Sequence, residues 1–375
     1  MKFLEEVKPK KIAQLDDLLM DICIELQLSP NRYRQAGERY RAVAGILEGE
    51  GSPFSAYRPR IYPQGSMRLG TTVKPVDGPH DLDFVCELSV GHEKVDPMAL
   101  LKALCDFLGS HGTYEDMLEL KNRCVRIVYA NEFYMDILPA CGDAGSGSTC
   151  LQVPDRSAKG WKPSNPIGFA KWFDVRSVVL SSTVIKEAAP LPRRQEAEDK
   201  RPLQLAVQLI KRWRDLAYGG SDLAPISVVL TTLAADHYRG EDSVSLAVTT
   251  ILSGIRQAVA EAEARGSRLI VLNPSNPAED LSERWDGSPE AYAAFKAGIA
   301  EFEKTWRGVV EAGGNVSQTL EKLFGEPVKA AVLSQAKRLQ EARLGNNLSI
   351  GSAGLIGTGA LATIPVKPNV FYGQD

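Results

Sequence analysis

Residues 64–88 read QGSMRLGTTVKPVDGPHDLDFVCEL: a Gly-Ser pair, a spacer carrying Thr, Pro and Gly, and then two aspartates separated by one residue. In the closing DLDFVCEL the positions alternate, with Leu82, Phe84, Cys86 and Leu88 on one face and Asp81, Asp83, Val85 and Glu87 on the other. A period of two marks a half-buried strand, and it points both aspartates the same way. Gly65-Ser66, preceded by the extended-looking YPQ, fits a tight turn opening a helix, where backbone N–H groups and a hydroxyl can hold terminal phosphate oxygens. A Gly-Ser pair alone is usually just a turn, so its weight comes from the stretches around it.

Downstream, CVRIVY (124–129) and EFYMDIL (132–138) read as a strand pair with a short turn at Ala130-Asn131, and residues 97–109 read as a helix. Asp136 interrupts an otherwise apolar and aromatic strand, where an unpaired charge is expensive. Transfer of a nucleotidyl group to a hydroxyl needs a deprotonated nucleophile, an in-line approach and neutralisation of a polyphosphate leaving group. Two divalent ions about 3.5–4 Å apart meet those needs, and Mg²⁺ prefers hard oxygen ligands. Asp81 and Asp83 on one strand face, with Asp136 from a neighbouring strand, would supply such ligands. The competing reading has Asp136 cap a turn or pair with an arginine such as Arg126, because buried acids are usually paired. His80, directly before the DLD, reads as spacing.

The chain has 375 residues, more than a single core usually serves, so two lobes are expected. A net charge of −3 gives no global basic field for non-specific DNA or RNA binding, although a local basic groove stays open. The opening MKFLEEVKPKKIAQLDDLL lacks the apolar core of a signal peptide, and no apolar run of about 18 residues suggests a spanning helix. Six cysteines without a CxxC pair and four histidines fit reduced thiols in the cytoplasm and argue against structural zinc.

Residues 11–27 repeat apolar positions as an amphipathic helix does, and 31–48 follow as a second helix capped by Ser29 ahead of Pro30. Glycines and prolines break the pattern over 49–63, and 142–166 read as a long irregular connection. Helical patterns then cover 167–173, 201–218, 225–238, 243–265, 288–311, 315–324 and 328–343. Residues 345–364 are rich in Gly and Ser and are expected to be mobile. The helix around Lys211 is apolar on most of its circumference (Leu203, Leu205, Ala206, Val207, Leu209, Ile210, Trp213, Leu216), so it reads as a covered helix whose lysine wants an anionic partner. The alternative is that Lys211 snorkels to solvent beside Arg212 and Arg214. Ser227, soon after Pro225, is also a good helix-start residue. Arg68 and Lys74 read as surface or packing residues, and Tyr218 and Tyr238 as core.

GSMRLGT, a spacer, DLDFVCEL and the later FYMDILPA together resemble the signature of the polymerase-β-like nucleotidyltransferase superfamily. More narrowly the chain resembles the bacterial cGAS/DncV-like nucleotidyltransferases, which make cyclic oligonucleotide second messengers in anti-phage (CBASS) defence. The supporting stretches are YPQGSMRLGTTVKP, NPIGFAKWF (165–173), LQLAVQLIKRWRDL (203–216), PISVVLTTLAA (225–235) and LNPSNPAEDLSERW (272–285), in the expected order. The resemblance implies an α+β fold: a polymerase-β-like mixed-sheet lobe over 1–165, a helical-bundle lobe over 166–344 and a tail over 345–375, with helices 11–48 free to bridge both lobes.

The resemblance makes Asp81, Asp83 and Asp136 the catalytic, Mg²⁺-binding triad, with Mn²⁺ as a substitute ion and Asp136 helping to deprotonate the attacking ribose hydroxyl. Gly65 and Ser66 would hold the triphosphate, and Lys211 and Ser227 would be phosphate contacts from the helical lobe. The implied substrates are nucleoside triphosphates, ATP among them, and the implied product is a cyclic di- or trinucleotide. No His/Cys insertion of the kind that serves double-stranded DNA in the animal branch is present, so a nucleic-acid activator is not expected. A regulatory protein is, either of HORMA type or an enzyme that conjugates the tail. The rival readings are a template-independent transferase acting on RNA ends or a small molecule, and a non-catalytic nucleotide sensor.

Overall fold

The computed structural model of the chain describes residues 9–130, 132–142, 148–177, 192, 194–311 and 315–344, with short tail segments at 349–351, 356–357 and 362–365. Its first half contains α1 (Pro9–Glu25), α2 (Pro30–Glu48), β1 (Arg60–Pro63), α3 (Gly65–Leu69), β2 (His80–Leu88), α4 (Pro97–Gly109), β3 (Leu118–Leu120), β4 (Val125–Tyr129), β5 (Phe133–Gly142), β6 (Leu151–Asp155) and β7 (Gly160–Ser164). The seven strands form one mixed sheet in the order β1-β2-β5-β4-β3, with β6 attached to β5 and β7 to β6. β2 and β5 run parallel, and their register sets Asp83 beside Asp136. β4 runs antiparallel to β5, with Arg126 opposite the same Asp136.

The alternation read from the sequence decides what each sheet face does. Leu82, Phe84 and Cys86 of β2 join Phe133, Met135 and Ile137 of β5 and Val125 and Ile127 of β4 in one buried layer. Ala36, Tyr40, Val43 and Leu47 of α2 and Leu100, Leu101, Leu104 and Leu108 of α4 close that layer. Each such side chain contributes roughly 1.5–3 kcal/mol on burial, which fixes the strand register and leaves the aspartates on the opposite face. Both covering helices start at caps: the Ser29 hydroxyl accepts from Arg32 N at 3.3 Å, and Asp96 accepts from Ala99 N at 2.7 Å.

The second half is helical: α5 (Pro166–Ser177), α6 (Pro202–Tyr218), α7 (Ser227–His237), α8 (Val244–Ala264), the hairpin β8 (Leu272–Asn273) and β9 (Asn276–Asp280), α9 (Arg284–Gly287), α10 (Pro289–Glu311), α11 (Val316–Phe324) and α12 (Pro327–Leu344). α6 is its axis, buried at every position from Leu203 to Trp213. Trp213 stacks on Phe302 of α10 with ring centroids 4.5 Å apart. α1 belongs to this helical core through Leu15, Leu18, Leu19, Ile22 and Cys23, with Leu26 just beyond its end, whereas α2 belongs to the sheet core. The first two helices therefore tie the two cores together.

Two stretches differ from expectation. Within 142–166, read as irregular, residues 151–164 form the β6–β7 hairpin. Pro154, Gly160 and Pro163 look like breakers in sequence, yet Pro163 lies on the outer strand β7 and Pro154 on the part of β6 beyond its pairing with β5, where a missing N–H is tolerated. The hairpin turn is held by Asp155, which accepts from Ala158 N at 2.9 Å. In the tail, three short segments, β10 (Ser349–Gly351), β11 (Ile356–Gly357) and β12 (Ala362–Pro365), pair into a small antiparallel sheet. The rest of the tail that was expected to be mobile, like Asn131 of the expected turn, lies outside the described residues. The six cysteines are free thiols, and among the described residues no helix is long and apolar enough to cross a membrane.

Candidate active site

The Gly-Ser turn and the aspartate strand are fitted to each other at atomic contact. Gly65 has φ +56°, and a Cβ there would lie 2.6 Å from Asp83 Oδ2, so only glycine satisfies both the left-handed backbone and the close approach. Gln64 N donates to the Asp83 carbonyl at 2.8 Å, which fixes the start of α3 on β2. Beyond α3 the chain turns back on itself: Thr71 N donates to the Ser66 carbonyl at 3.0 Å, and the Thr72 hydroxyl lies 3.4 Å from Ser66 Oγ.

These residues form one wall of a cavity of about 730 Å³. Gly65, Ser66, Thr71, Asp81 and Asp83 line it from the sheet side, and Lys211, Arg214 and Ser227 line it from α6 and α7. The Thr71 hydroxyl is buried there without a hydrogen-bond partner, a polar atom still to be satisfied. Lys211, 9 % exposed, does not snorkel out; its Nζ donates to the Thr71 carbonyl at 3.2 Å. Burial lowers its ammonium to about 8, with Arg214 pushing the same way and Asp215, Asp83 and Asp81 opposing. Ser227 opens α7, and its carbonyl accepts from the Thr231 hydroxyl at 2.8 Å.

The carboxylates stand where period and register place them. Burial, then Asp136 and Asp81, pushes Asp83 up to about 7. Burial raises Asp81 as well, against the lowering effect of Arg126. Asp136 is not among the cavity-lining residues. Arg126 grips it with Nε to Oδ1 at 2.7 Å and Nη2 to Oδ2 at 2.8 Å, and also reaches Asp81 Oδ1 at 3.1 Å. The arginine pairing weighed from the sequence is therefore present, on the same sheet face that carries Asp81 and Asp83. Among the described residues no three His, Cys, Asp or Glu side chains are gathered as a ready-made metal cage. Arg126, lying over the Tyr134 ring at 4.4 Å, takes a cation's place between Asp81 and Asp136.

Other residues have quieter roles. Arg68 pairs with Asp174 at 2.8 Å, and the Lys74 backbone N donates to the Leu26 carbonyl at 2.9 Å. The Tyr218 hydroxyl donates to the Ala294 carbonyl and the Tyr238 hydroxyl to the Glu241 carbonyl, so both rings are anchored within the helical half. His80, read as spacing, is buried, and burial lowers it to about 4. Sequence reading gave no role to Gln204, Gln208 or Glu279. The two glutamines had a signal, being polar positions on an otherwise apolar helix, and Glu279 lines the cavity beside Asn273.

Fold and site together define a nucleotidyltransferase with the polymerase-β-like architecture. Residues 13–176 match the Second Messenger Oligonucleotide or Dinucleotide Synthetase domain. A c-di-GMP synthase from Roseivirga ehrenbergii is 31 % identical over 370 residues, which span 96 % of this chain and 98 % of that protein. The structure of the Bradyrhizobium diazoefficiens CD-NTase CdnG in complex with GTP superimposes with a TM-score of 0.72 at 25 % identity, covering 86 % of this chain and 99 % of that one. The complex of CdnC with HORMA from E. coli MS115-1 shares the fold, with a TM-score of 0.60 at 15 % identity over 86 % of this chain and 99 % of that one. The chain belongs to the bacterial cGAS/DncV-like nucleotidyltransferases, the makers of cyclic oligonucleotides.

Proposed function

We propose that this chain joins two nucleoside triphosphates into a cyclic dinucleotide containing guanine, releasing pyrophosphate, and that it does so in the cytoplasm as the signal of an anti-phage (CBASS) response. The observation that carries the reading is the single cavity in which Gly65, Ser66, Asp81 and Asp83 face Lys211 and Ser227. Guanine rests on the relatives: one is a c-di-GMP synthase and another holds GTP. ATP, expected from the resemblance, remains a candidate second substrate. A HORMA-type regulator is supported by the CdnC complex, at the level of fold.

The donor set suits a hard divalent cation, because Asp81, Asp83 and Asp136 offer only carboxylate oxygens. Burial first, then Asp136 and Asp81, pushes Asp83 up against the opposing pull of Lys211 and Arg126, so the charged form of this carboxylate would gain from a nearby cation. These three residues would hold Mg²⁺, or Mn²⁺ in its stead, which when bound neutralises polyphosphate charge and makes the ribose hydroxyl more acidic. Ser66 and the turn at Gly65 would hold the terminal phosphates, with Thr71 offering its unpartnered hydroxyl. Lys211 would exchange the Thr71 carbonyl for a phosphate oxygen and offset charge on the departing pyrophosphate. Ser227 would add a hydroxyl from α7. Asp136 would take the ribose proton once Arg126 leaves one of its oxygens, freeing that guanidinium to face phosphate.

The test is incubation of the purified chain with each labelled nucleoside triphosphate, and with all four together, in Mg²⁺ and in Mn²⁺, followed by phosphatase. Phosphatase-resistant dinucleotides that need GTP are expected. Linear, phosphatase-sensitive ladders would refute the cyclic product.

A further inference from the structure

Two buried glutamines on α6 grip the loop that follows the Gly-Ser turn, although nucleotidyl transfer has no chemical use for them. Gln204 and Gln208 are 8 % and 0 % exposed, and with Lys211 they share one face of the helix at spacings of four and three. Gln204 Nε2 donates to the Leu69 carbonyl at 2.8 Å, Lys211 Nζ to the Thr71 carbonyl at 3.2 Å and Gln208 Nε2 to the Thr72 carbonyl at 2.5 Å. The fit at the loop's first bend is tight: Gly70 has φ +68°, and a Cβ there would meet Gln204 Nε2 at 2.5 Å.

The bonding continues away from the loop. Gln208 Oε1 accepts from Gln27 Nε2 at 3.2 Å, and Gln27 Oε1 accepts from Lys200 Nζ at 2.5 Å. Lys200 is 9 % exposed and, among the described residues, forms no ion pair. A path of hydrogen bonds thus leads from Lys200 through Gln27 and Gln208 to the Thr72 carbonyl, with Gln208 Nε2 also donating back to Gln27 Oε1 at 3.5 Å, and Thr72 touches Ser66 in turn. Burying so many polar groups is unfavourable unless each is paired, and a fully paired buried network admits few arrangements.

We infer that Gln204 and Gln208, backed by Gln27 and Lys200, are positioning residues that set the 69–72 loop, and through it Ser66, at the height the terminal phosphates require. The inference rests on the reading of Ser66 as a phosphate holder. Gln208→Met in the full chain keeps the length of the side chain and removes its hydrogen bonds to Gln27 and to the Thr72 carbonyl. GTP and GMP affinities, measured by calorimetry with Mg²⁺ beside a thermal melt, separate phosphate positioning from general damage. GTP binding is expected to weaken roughly tenfold while GMP binding is unchanged. Equal losses for both nucleotides, or no loss, overturn the inference. Should Gln208→Met fail to fold, Lys200→Met, at a residue joined to the loop by hydrogen bonds through Gln27 and Gln208, must show the same selective loss, and an unselective result there overturns the inference equally. A wild-type chain that binds GTP no better than GMP would instead overturn the reading of Ser66 itself.

Discussion

Asp83 lies beside two other carboxylates, and burial together with Asp136 and Asp81 pushes it up to about 7. An unfolded aspartate titrates near ~3.9. Between ~4 and about 7 the folded chain therefore keeps a proton that the unfolded chain has released, so this group's contribution to stability falls as pH rises through that window. A bound cation favours the charged form and reverses the sign. At pH 6, Mg²⁺ should expel up to about one proton per chain from Asp83, and well above pH 7 none. Calorimetric titrations in two buffers of unlike ionisation enthalpy read this directly, and equal heats at pH 6 would contradict it. The placement of Asp81 and Asp83 on one strand face was legible in the sequence, because a period of two points both the same way. Arg126 was legible only as a possible partner of Asp136, since its simultaneous reach to Asp81 depends on the register of three strands.

Gly65 and Gly70 bound the short helix α3, each with positive φ and each pressed against a side chain of another element, Asp83 on β2 and Gln204 on α6. Gly65→Ala should therefore lower stability by about 1–3 kcal/mol, from the strained backbone and the displaced Asp83. It should also abolish nucleotide binding. Thermal melting and GTP titration check both, and an alanine variant that binds GTP normally would show that the close approach is not needed. The long helices were readable because their apolar faces repeat every three or four residues over many turns. The β6–β7 hairpin was not, because its two short strands carry Pro154, Gly160 and Pro163, which in isolation mark a loop.

The cavity exists because two cores face each other, and α1 gives residues from the start of the chain to the helical one. That crossing could not be read locally: α1 and α2 are both amphipathic, and which core each joins is set by packing of the whole chain. A ligand held from both sides should stabilise both. With Mg²⁺ and GTP at about 100 times the dissociation constant, amides of β2 and of α6 should gain protection from hydrogen exchange together, by up to ~2.7 kcal/mol. Protection confined to one side would place the nucleotide elsewhere. The most direct test sets wild type beside Asp83→Asn, each given GTP, ATP and Mg²⁺, with products identified by mass spectrometry. A cyclic dinucleotide from the wild type, reduced about a thousandfold or more in a variant that melts no lower in the absence of metal, is the expected result, because a neutral amide is a poor ligand for a hard cation. An Asp83→Asn chain that makes the product at an undiminished rate would contradict the assignment of this carboxylate to catalysis.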